Sequence, residues 1–167
     1  MIKELARKLA TFEEFVDFVI IETTLRRGTF ESGAEVLENH SAMVLIRVSS
    51  SDAELLVKLI RPRSEIKAAL GSRIQSSEKI WRVFTASEIL NFAESVGDKN
   101  KIHRLNPPIV PGLLILETIC AEFEANFIKL KFKHFVTAGE PLSLNIVEKN
   151  FELSSAGVRK VLGQFLS

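Results

Sequence analysis

A short polar segment between residues 97 and 117 carries side chains suited to proton transfer. Its acids and bases are Asp98, His103 and Glu117, and they lie among two glycines and three prolines. Histidine and carboxylates are common general acids and bases in enzymes. Free backbone N–H groups at a helix start can hold a developing negative charge. The segment therefore predicts a site for proton transfer beside a helix N-terminus.

A well-terminated helix is predicted immediately before this segment. Thr85 and Glu88 have the spacing of a capping box, in which each side chain accepts a hydrogen bond from the other residue's backbone N–H. Apolar residues then recur at helical spacing: Ile89, Phe92, Ala93 and Val96. Gly97 is typical of the residue that ends a helix. The stretch from Asp98 to His103 should therefore begin at the well-defined end of this helix.

A second helix is predicted immediately after the polar segment. Pro107, Pro108 and Pro111 hold the chain extended, because proline fixes its own φ and keeps the preceding residue out of the helical region. Gly112 then starts a helix that runs to about residue 127 and is apolar on nearly all sides, as in a helix enclosed by other structure. Glu117 lies in the second turn of this apolar helix. Burying a charged side chain there is costly unless the charge is paired, so a role for Glu117 is expected.

The other segments predict one further helix and antiparallel strands. Helical spacing of apolar residues, with a capping box at Thr11, predicts a helix from Phe12 to a stop at Gly28. Alternating or β-rich stretches predict strands over residues 34–37, 42–48, 54–60, 128–133, 142–153 and 158–166. Residues 64–79 predict a polar connection with a short helix at 68–70. Because a helix precedes strands in both halves, the order indicates an internal duplication.

Composition and charge exclude several classes of protein. The 167 residues, 46% hydrophobic and 26% charged, suffice to bury a real core. Lysine and arginine (22) nearly balance aspartate and glutamate (21), so the net charge of +1 provides no field to attract nucleic acid or an anionic membrane. No apolar run is long enough to span a membrane. The N-terminus lacks the pattern of a signal peptide.

The single cysteine, Cys120, indicates a reducing compartment. It can form no intrachain disulfide and lies in an apolar helical run, which favours a core thiol over a nucleophile. We therefore expect a soluble, cytoplasmic protein. His40 has no ligand-spaced partner, and neither a metal nor a redox cofactor is implied.

The motif residues resemble two related enzyme families. Residues 97–103, with the sequence GDKNKIH, resemble the Gly-Asp-x-Asn-Pro-Ile-His signature of the MaoC-like (R)-specific enoyl-CoA hydratases. Residues 108–117, PIVPGLLILE, resemble the β-hydroxyacyl-acyl-carrier-protein dehydratases, in which a catalytic histidine and glutamate have the same separation as His103 and Glu117. The two motifs overlap at His103. Lys101, Arg104 and Pro111 differ from the family patterns.

The resemblance implies a fold and a set of roles. The fold would be α+β: a hot-dog fold, in which an antiparallel sheet wraps a long apolar helix. Residues 81–167 would form its core, and residues 1–80 would pack on or complete the sheet. His103 would be the general acid or base, with Asp98 in the hydratase pattern or Glu117 in the dehydratase pattern. The residues assigned to substrate binding are Gly112, through its N–H, with Asn100 and Arg104 beside the histidine.

The implied substrate is an acyl thioester of CoA or of an acyl carrier protein, bound by a homodimer. The reaction would be hydration or dehydration between 3-hydroxyacyl and trans-2-enoyl forms, with CoA or phosphopantetheine only as part of the substrate. Two alternatives remain open from the sequence. Hot-dog thioesterases use a carboxylate near the same helix start, and a silent acyl-CoA-binding or regulatory protein could keep the fold without the chemistry.

Overall fold

The structure, a computed structural model, describes residues 1–67 and 79–166. The short helix expected at 68–70 lies outside these residues. The helices are α1 (Ile2–Leu9), α2 (Ala86–Val96) and α3 (Gly112–Glu122), with 3₁₀ turns at Glu13–Phe15 and Lys101–Arg104. The strands are β1 (Val19–Arg27), β2 (Gly33–His40), β3 (Met43–Ser49), β4 (Ala53–Ile60), β5 (Arg82–Val83), β6 (Phe127–Phe132), β7 (Pro141–Val147), β8 (Asn150–Ser155) and β9 (Val158–Leu166).

The strands form one antiparallel sheet in the order β2-β3-β4-β1-β6-β9-β8-β7-β5. This order contains two matching sets. The first set runs β1-β4-β3-β2 outward from the centre, the second runs β6-β9-β8-β7, and β1 pairs with β6 between them. The matched order agrees with an internal duplication, although each set has four strands where three were expected. Segments 1–80 and 81–167 thus share one sheet.

The three strands expected over residues 34–60 are confirmed as β2, β3 and β4, and together with β1 they make up the first set. Strand β4 alternates strictly between buried and half-buried positions, as expected for a strand with one face on a core. Val44 and Ile46 on β3 are fully buried beside it. In the second set, Ile128 and Leu130 on β6 are also fully buried, in agreement with the alternation predicted there.

The helix predicted from residue 12 to Gly28 is wrong. The chain instead forms α1 earlier, then the 3₁₀ turn, then β1 over most of the predicted helix. Residues 19–24, VIIETT, are mostly β-branched, and their stiff side chains fit a pleated strand better than a helix. Pairing with β4 on one side and β6 on the other makes β1 a central strand. Thr11 donates its hydroxyl to the Lys8 carbonyl and caps no helix.

The helices that flank the polar segment are confirmed. Thr85 and Glu88 form the expected reciprocal capping box, and Gly97 ends α2 at a φ of 74°. Helix α3 begins at Gly112 as predicted but ends at Glu122, five residues early. The strand expected to run from 142 to 153 is broken into β7 and β8 by a tight turn, where Glu148 takes a positive φ of 56°.

Helix α3 and the sheet share the core. Leu116 and Ile119 on α3 are fully buried, and Ile115 is 2% exposed. Burying one such side chain stabilises the fold by roughly 1.5–3 kcal/mol. Helix α1 packs against both α2 and α3, and side chains of all three helices belong to the same core. The architecture is therefore α+β, as the sequence predicted: a large antiparallel sheet wrapped around an apolar helix.

Candidate functional site

Asp98 and His103 lie together at the C-terminal end of α2. The nearest carboxylate oxygen, Asp98 Oδ2, is 3.3 Å from His103 Nε2. His103 is almost completely buried, whereas the Asp98 side chain keeps 30% of its surface exposed. Gly97 ends α2 directly before Asp98, and a 3₁₀ turn carries His103, so both side chains start from fixed backbone.

The second ring nitrogen of His103 fixes its tautomer. Nδ1 lies 2.8 Å from the Ile109 carbonyl oxygen, which can only accept a hydrogen bond, so Nδ1 carries the hydrogen. In the neutral ring, Nε2 then has a lone pair and faces Asp98. Two acceptors 3.3 Å apart repel each other unless a proton lies between them or a donor molecule bridges them from the side. The pair is therefore built to accept a proton at Nε2.

Asp98 is held in its ionised form. Burial opposes its charge and is the largest influence, but four other effects together outweigh it: the hydrogen bond and the charge that His103 offers when its ring is protonated, the Asn100 backbone N–H and the Arg104 charge. The net result is a pKa for Asp98 below its ordinary value. Near neutral pH, the site therefore contains a carboxylate rather than a carboxylic acid.

Asn100 and Arg104 hold the loop that carries the pair. Asn100 is buried; its Oδ1 accepts from the Ile102 N–H at 3.2 Å, and its Nδ2 donates to the Phe18 carbonyl at 3.0 Å. The Arg104 guanidinium donates to the backbone carbonyls of Asp98 (2.8 Å) and Asn100 (3.1 Å). Both residues were expected to bind substrate. In the structure both brace the loop, and only Asn100 also borders the cavity described below.

Gly112 begins α3 at the edge of the same site. The first N–H groups of a helix have no partner within it, and Pro111 before Gly112 supplies no side-chain cap. A Cβ at Gly112 would lie 3.0 Å from the Phe132 ring, so a larger residue would crowd this corner. Gly112 thus leaves a close approach to a helix start that favours negative charge.

Glu117 lies apart from this arrangement. It is half-buried on α3 and does not border the cavity. Within residues 1–67 and 79–166, Asp98 is the carboxylate within 4.0 Å of His103. Cys120, one turn beyond Glu117, is partly buried, and burial raises the pKa of its thiol despite the nearby Arg27. This environment suits a packed thiol rather than a thiolate nucleophile.

A cavity of about 750 Å³ opens onto the pair. Both strand sets contribute to it. The first supplies an apolar wall from α1, the 3₁₀ turn and the start of β1, including Ala6, Leu9, Phe12, Phe15, Val16 and Phe18. The second supplies Asp98, His103, Gly112 and the apolar side chains around them. The volume falls within the range of small-molecule sites, and a few polar groups converge in an apolar lining.

Neither the apolar wall formed by α1, the 3₁₀ turn and the start of β1 nor the Ile109 carbonyl was predicted from the sequence. Of the wall residues, Phe12, Phe15 and Val16 were interpreted as part of one face of a helix, although the β-branched run after Phe18 could have signalled a strand there. Ile109 acts through its backbone, and its side-chain type carries no information about that carbonyl. The prolines before it did predict the extended path that brings Ile109 to His103.

Comparison with solved structures identifies the fold. HtdX from Mycobacterium tuberculosis superimposes with a TM-score of 0.63 at 16% identity, over 98% of this chain and 86% of that one. A MaoC-like dehydratase from Phytophthora capsici gives 0.52 at 13%, over 91% and 72%. An acyl-ACP thioesterase from Bacteroides thetaiotaomicron gives 0.52 at 10%, over 89% and 75%. The chain has the hot-dog fold that these proteins share.

Sequence comparison adds no narrower assignment. No protein-family model matches the chain. No curated protein sequence matches it either. In the described part of the chain, no three histidine, cysteine, aspartate or glutamate side chains cluster as a metal site would require. Over the same residues, every helix is too short or too polar to cross a membrane.

Proposed function

We propose that this protein catalyses the reversible hydration of a trans-2-enoyl thioester to the 3-hydroxyacyl thioester. The observation that carries the proposal is the pairing of Asp98 with His103 at 3.3 Å, on the wall of an apolar cavity and beside the start of α3. The acyl group would be carried by CoA or by an acyl carrier protein. No further cofactor enters the reaction.

The pair provides the base for the attacking water. A water molecule in the cavity donates one hydrogen bond to Asp98 Oδ2 and one to His103 Nε2, which are 3.3 Å apart, and is held for attack on the substrate β-carbon. As the oxygen bonds to this carbon, His103 Nε2 takes the proton, because its Nδ1 is already a donor to Ile109. The Asp98 carboxylate stabilises the resulting imidazolium.

The start of α3 stabilises the negative charge that develops on the substrate's thioester oxygen. When water adds to the β-carbon, the double-bond electrons shift toward the thioester oxygen and form an enolate. The unpaired N–H groups at Gly112 and the positive end of the α3 dipole stabilise this oxygen. The proton then passes from His103 to the α-carbon, so that one water has been added and the pair is restored.

A spectroscopic assay with short and medium enoyl-CoA substrates tests the proposal. We expect enoyl absorbance to decrease with time without release of free thiol. His103→Gln should lower this rate by about a thousandfold, within the range that general acid–base catalysis contributes. Unchanged hydration in His103→Gln would show that the proposed site is wrong.

Thioester hydrolysis is the second candidate. Its support is the acyl-ACP thioesterase among the structural neighbours, together with an ionised Asp98 that could activate water toward a carbonyl. In the same assay, hydrolysis would release free thiol, and it would also do so from a saturated acyl-CoA, which has no double bond to hydrate. Tight binding of acyl-CoA with neither product would favour a silent acyl-CoA-binding protein.

The proposed homodimer is tested separately by light scattering of the purified protein. In the described residues, one chain supplies both the catalytic pair and the opposite wall of the cavity. We therefore expect activity per chain to remain constant on dilution, whatever the oligomeric state. A loss of specific activity on dilution would show that a second copy contributes to the site.

A further inference from the structure

Glu140 is a deeply buried carboxylate outside the catalytic pair. It lies directly before β7 and is 3% exposed. Its Oε1 is 2.9 Å from Lys160 Nζ on β9, and the Lys160 side chain is itself 15% exposed. Taking two charges out of water is costly, so the pair must be compensated by close geometry and further hydrogen bonds.

The second oxygen of Glu140 organises the turn before it. Oε2 accepts a hydrogen bond from the Thr137 backbone N–H at 3.0 Å and lies 3.5 Å from the Thr137 hydroxyl. The Glu140 N–H returns a bond to the Thr137 carbonyl at 3.2 Å. Lys160 Nζ also donates to the Phe135 carbonyl at 3.0 Å. The ion pair thus fixes the backbone over residues 135–140.

This fixed backbone forms one side of a short antiparallel ladder. Thr137 bridges to Ile109. The Val110 N–H donates to the Val136 carbonyl at 2.8 Å, and the Ala138 N–H donates to the Pro108 carbonyl at 2.9 Å. Residues 108–110 are therefore held in place by residues 136–138 rather than by a helix or by the main sheet.

The other side of residues 108–110 faces the catalytic histidine. The Ile109 N–H donates to the Ile102 carbonyl at 3.0 Å, and the Ile109 carbonyl accepts from His103 Nδ1 at 2.8 Å. A displacement of the 136–138 segment would move this carbonyl and release the Nδ1 hydrogen. Nε2 could then carry a hydrogen in the neutral ring and would no longer be free to accept one.

We propose that Glu140, neutralised by Lys160, is a positioning residue that holds the Ile109 carbonyl against His103 and thereby keeps Nε2 free as the base. The role of Glu140 in catalysis rests on the proposed function, but its effect on the His103 tautomer does not. Mutation of the outer partners of metal-binding histidines changes affinity or activity by about 10–100-fold, and we take this range as the scale for a supporting residue here.

Long-range ¹H–¹⁵N NMR of the full chain tests the proposal, because it distinguishes protonated from unprotonated ring nitrogens. His103 is assigned among the three histidines with the His103→Gln variant. At a pH where the ring is neutral, the parent protein should show hydrogen on Nδ1 alone. Glu140→Gln, which keeps an oxygen for Thr137 but loses the charge, should show both tautomers. Its hydration kcat should fall about tenfold, with KM within twofold.

Glu22→Gln is the matched control. It breaks another partly buried ion pair, with Lys129 at 3.1 Å between β1 and β6, and should leave the His103 tautomer and kcat unchanged. If Glu140→Gln does not fold, Lys160→Gln removes the charge partner while leaving both Thr137 contacts. A folded variant that retains hydrogen on Nδ1 alone would overturn the proposal. A tautomer change in a protein without hydratase activity would uphold it and reject the proposed reaction.

Discussion

The two strand sets share one order of strands but contribute different things to the cavity. The β1–β4 set supplies an apolar wall that ends at Phe18 and the start of β1. The β6–β9 set is preceded by the polar stretch 97–111, which supplies Asp98 and His103. Hydrogen bonds from the Asn100 side chain to the Phe18 carbonyl and from Lys99 Nζ to Glu13 Oε1 tie the polar stretch to the wall segment. The two residues of the proposed catalytic pair therefore both come from the segment before α3.

The largest expected effect is the loss of kcat when the negative charge of Asp98 is removed. Asp98→Asn retains an oxygen for the Asn100 N–H but cannot stabilise an imidazolium at His103. We expect kcat for enoyl-CoA hydration to fall about a thousandfold. Glu117→Gln is the control, because Glu117 does not border the cavity, and should change kcat less than twofold. A larger loss from Glu117→Gln than from Asp98→Asn would reverse the assignment of the carboxylate.

A second prediction concerns how tightly each set is packed. In the β6–β9 set, a Cβ at Gly163 would overlap the Phe151 ring, which stacks on Phe165. Gly163→Ala must displace this ring and should lower the free energy of unfolding by about 3 kcal/mol. The measurement is urea denaturation.

Gly33 in the β1–β4 set provides the matched control. A Cβ there would meet only the Ser49 hydroxyl, at 3.9 Å. Gly33→Ala should therefore change the free energy of unfolding by no more than about 0.5 kcal/mol. Equal effects at Gly163 and Gly33 would show that the Phe151 contact does not limit packing.

The features of the site that the sequence predicted are those set by residues close together in the chain. The capping box at Thr85, the glycine stop at Gly97 and the prolines before Gly112 each act within a few residues, and all three features lie where expected. The resemblance placed His103 beside two carboxylates, and the structure brings Asp98, not Glu117, to it. That choice depends on the direction of a helix face, which spacing alone leaves open.

The part that the sequence did not predict depends on partners far along the chain. Residues 12–27 satisfy a helical pattern, but β1 gains backbone hydrogen bonds from β4 and β6 that no local pattern can reveal. The contact of Asn100 with Phe18 spans 82 positions. Glu140 and Lys160 meet only because β9 returns past the loop before β7. Tertiary pairing overrides the local helical pattern in the first case, and in the other two it joins residues that no local pattern connects.

A third and smaller effect should separate binding by the wall from catalysis by the pair. Phe15 lies in the wall and packs edge-on against Phe18, with ring centroids 5.2 Å apart. Phe15→Ala should raise KM for a ten-carbon enoyl-CoA by about tenfold, since each buried methylene contributes about 0.8 kcal/mol. It should leave kcat within twofold. Phe15→Leu, which retains apolar bulk, should show a smaller change, whereas a loss of kcat like that of Asp98→Asn would place Phe15 in the chemistry.

The smallest expected effect is the dependence of stability on pH through Asp98. Its pKa is lowered in the folded protein, so near its ordinary value of about 3.9 the folded state binds fewer protons than the unfolded state. The stabilisation is present above this pH and is lost as pH falls through the lower, folded value. Urea unfolding should therefore show Asp98→Asn less stable than the parent by about 1 kcal/mol at pH 7.

This difference should narrow below about pH 4, where the parent carboxylate also becomes protonated. Burial opposes the charge of Asp98, while His103 is the first of the groups that favour it. In a His103→Gln background, Asp98→Asn should therefore cost less at pH 7 than it does in the parent. If Asp98→Asn lowers the free energy of unfolding equally at pH 7 and pH 3, Asp98 stabilises the loop through its shape and its bond to Asn100. Its charge would then contribute to the proposed reaction and not to stability.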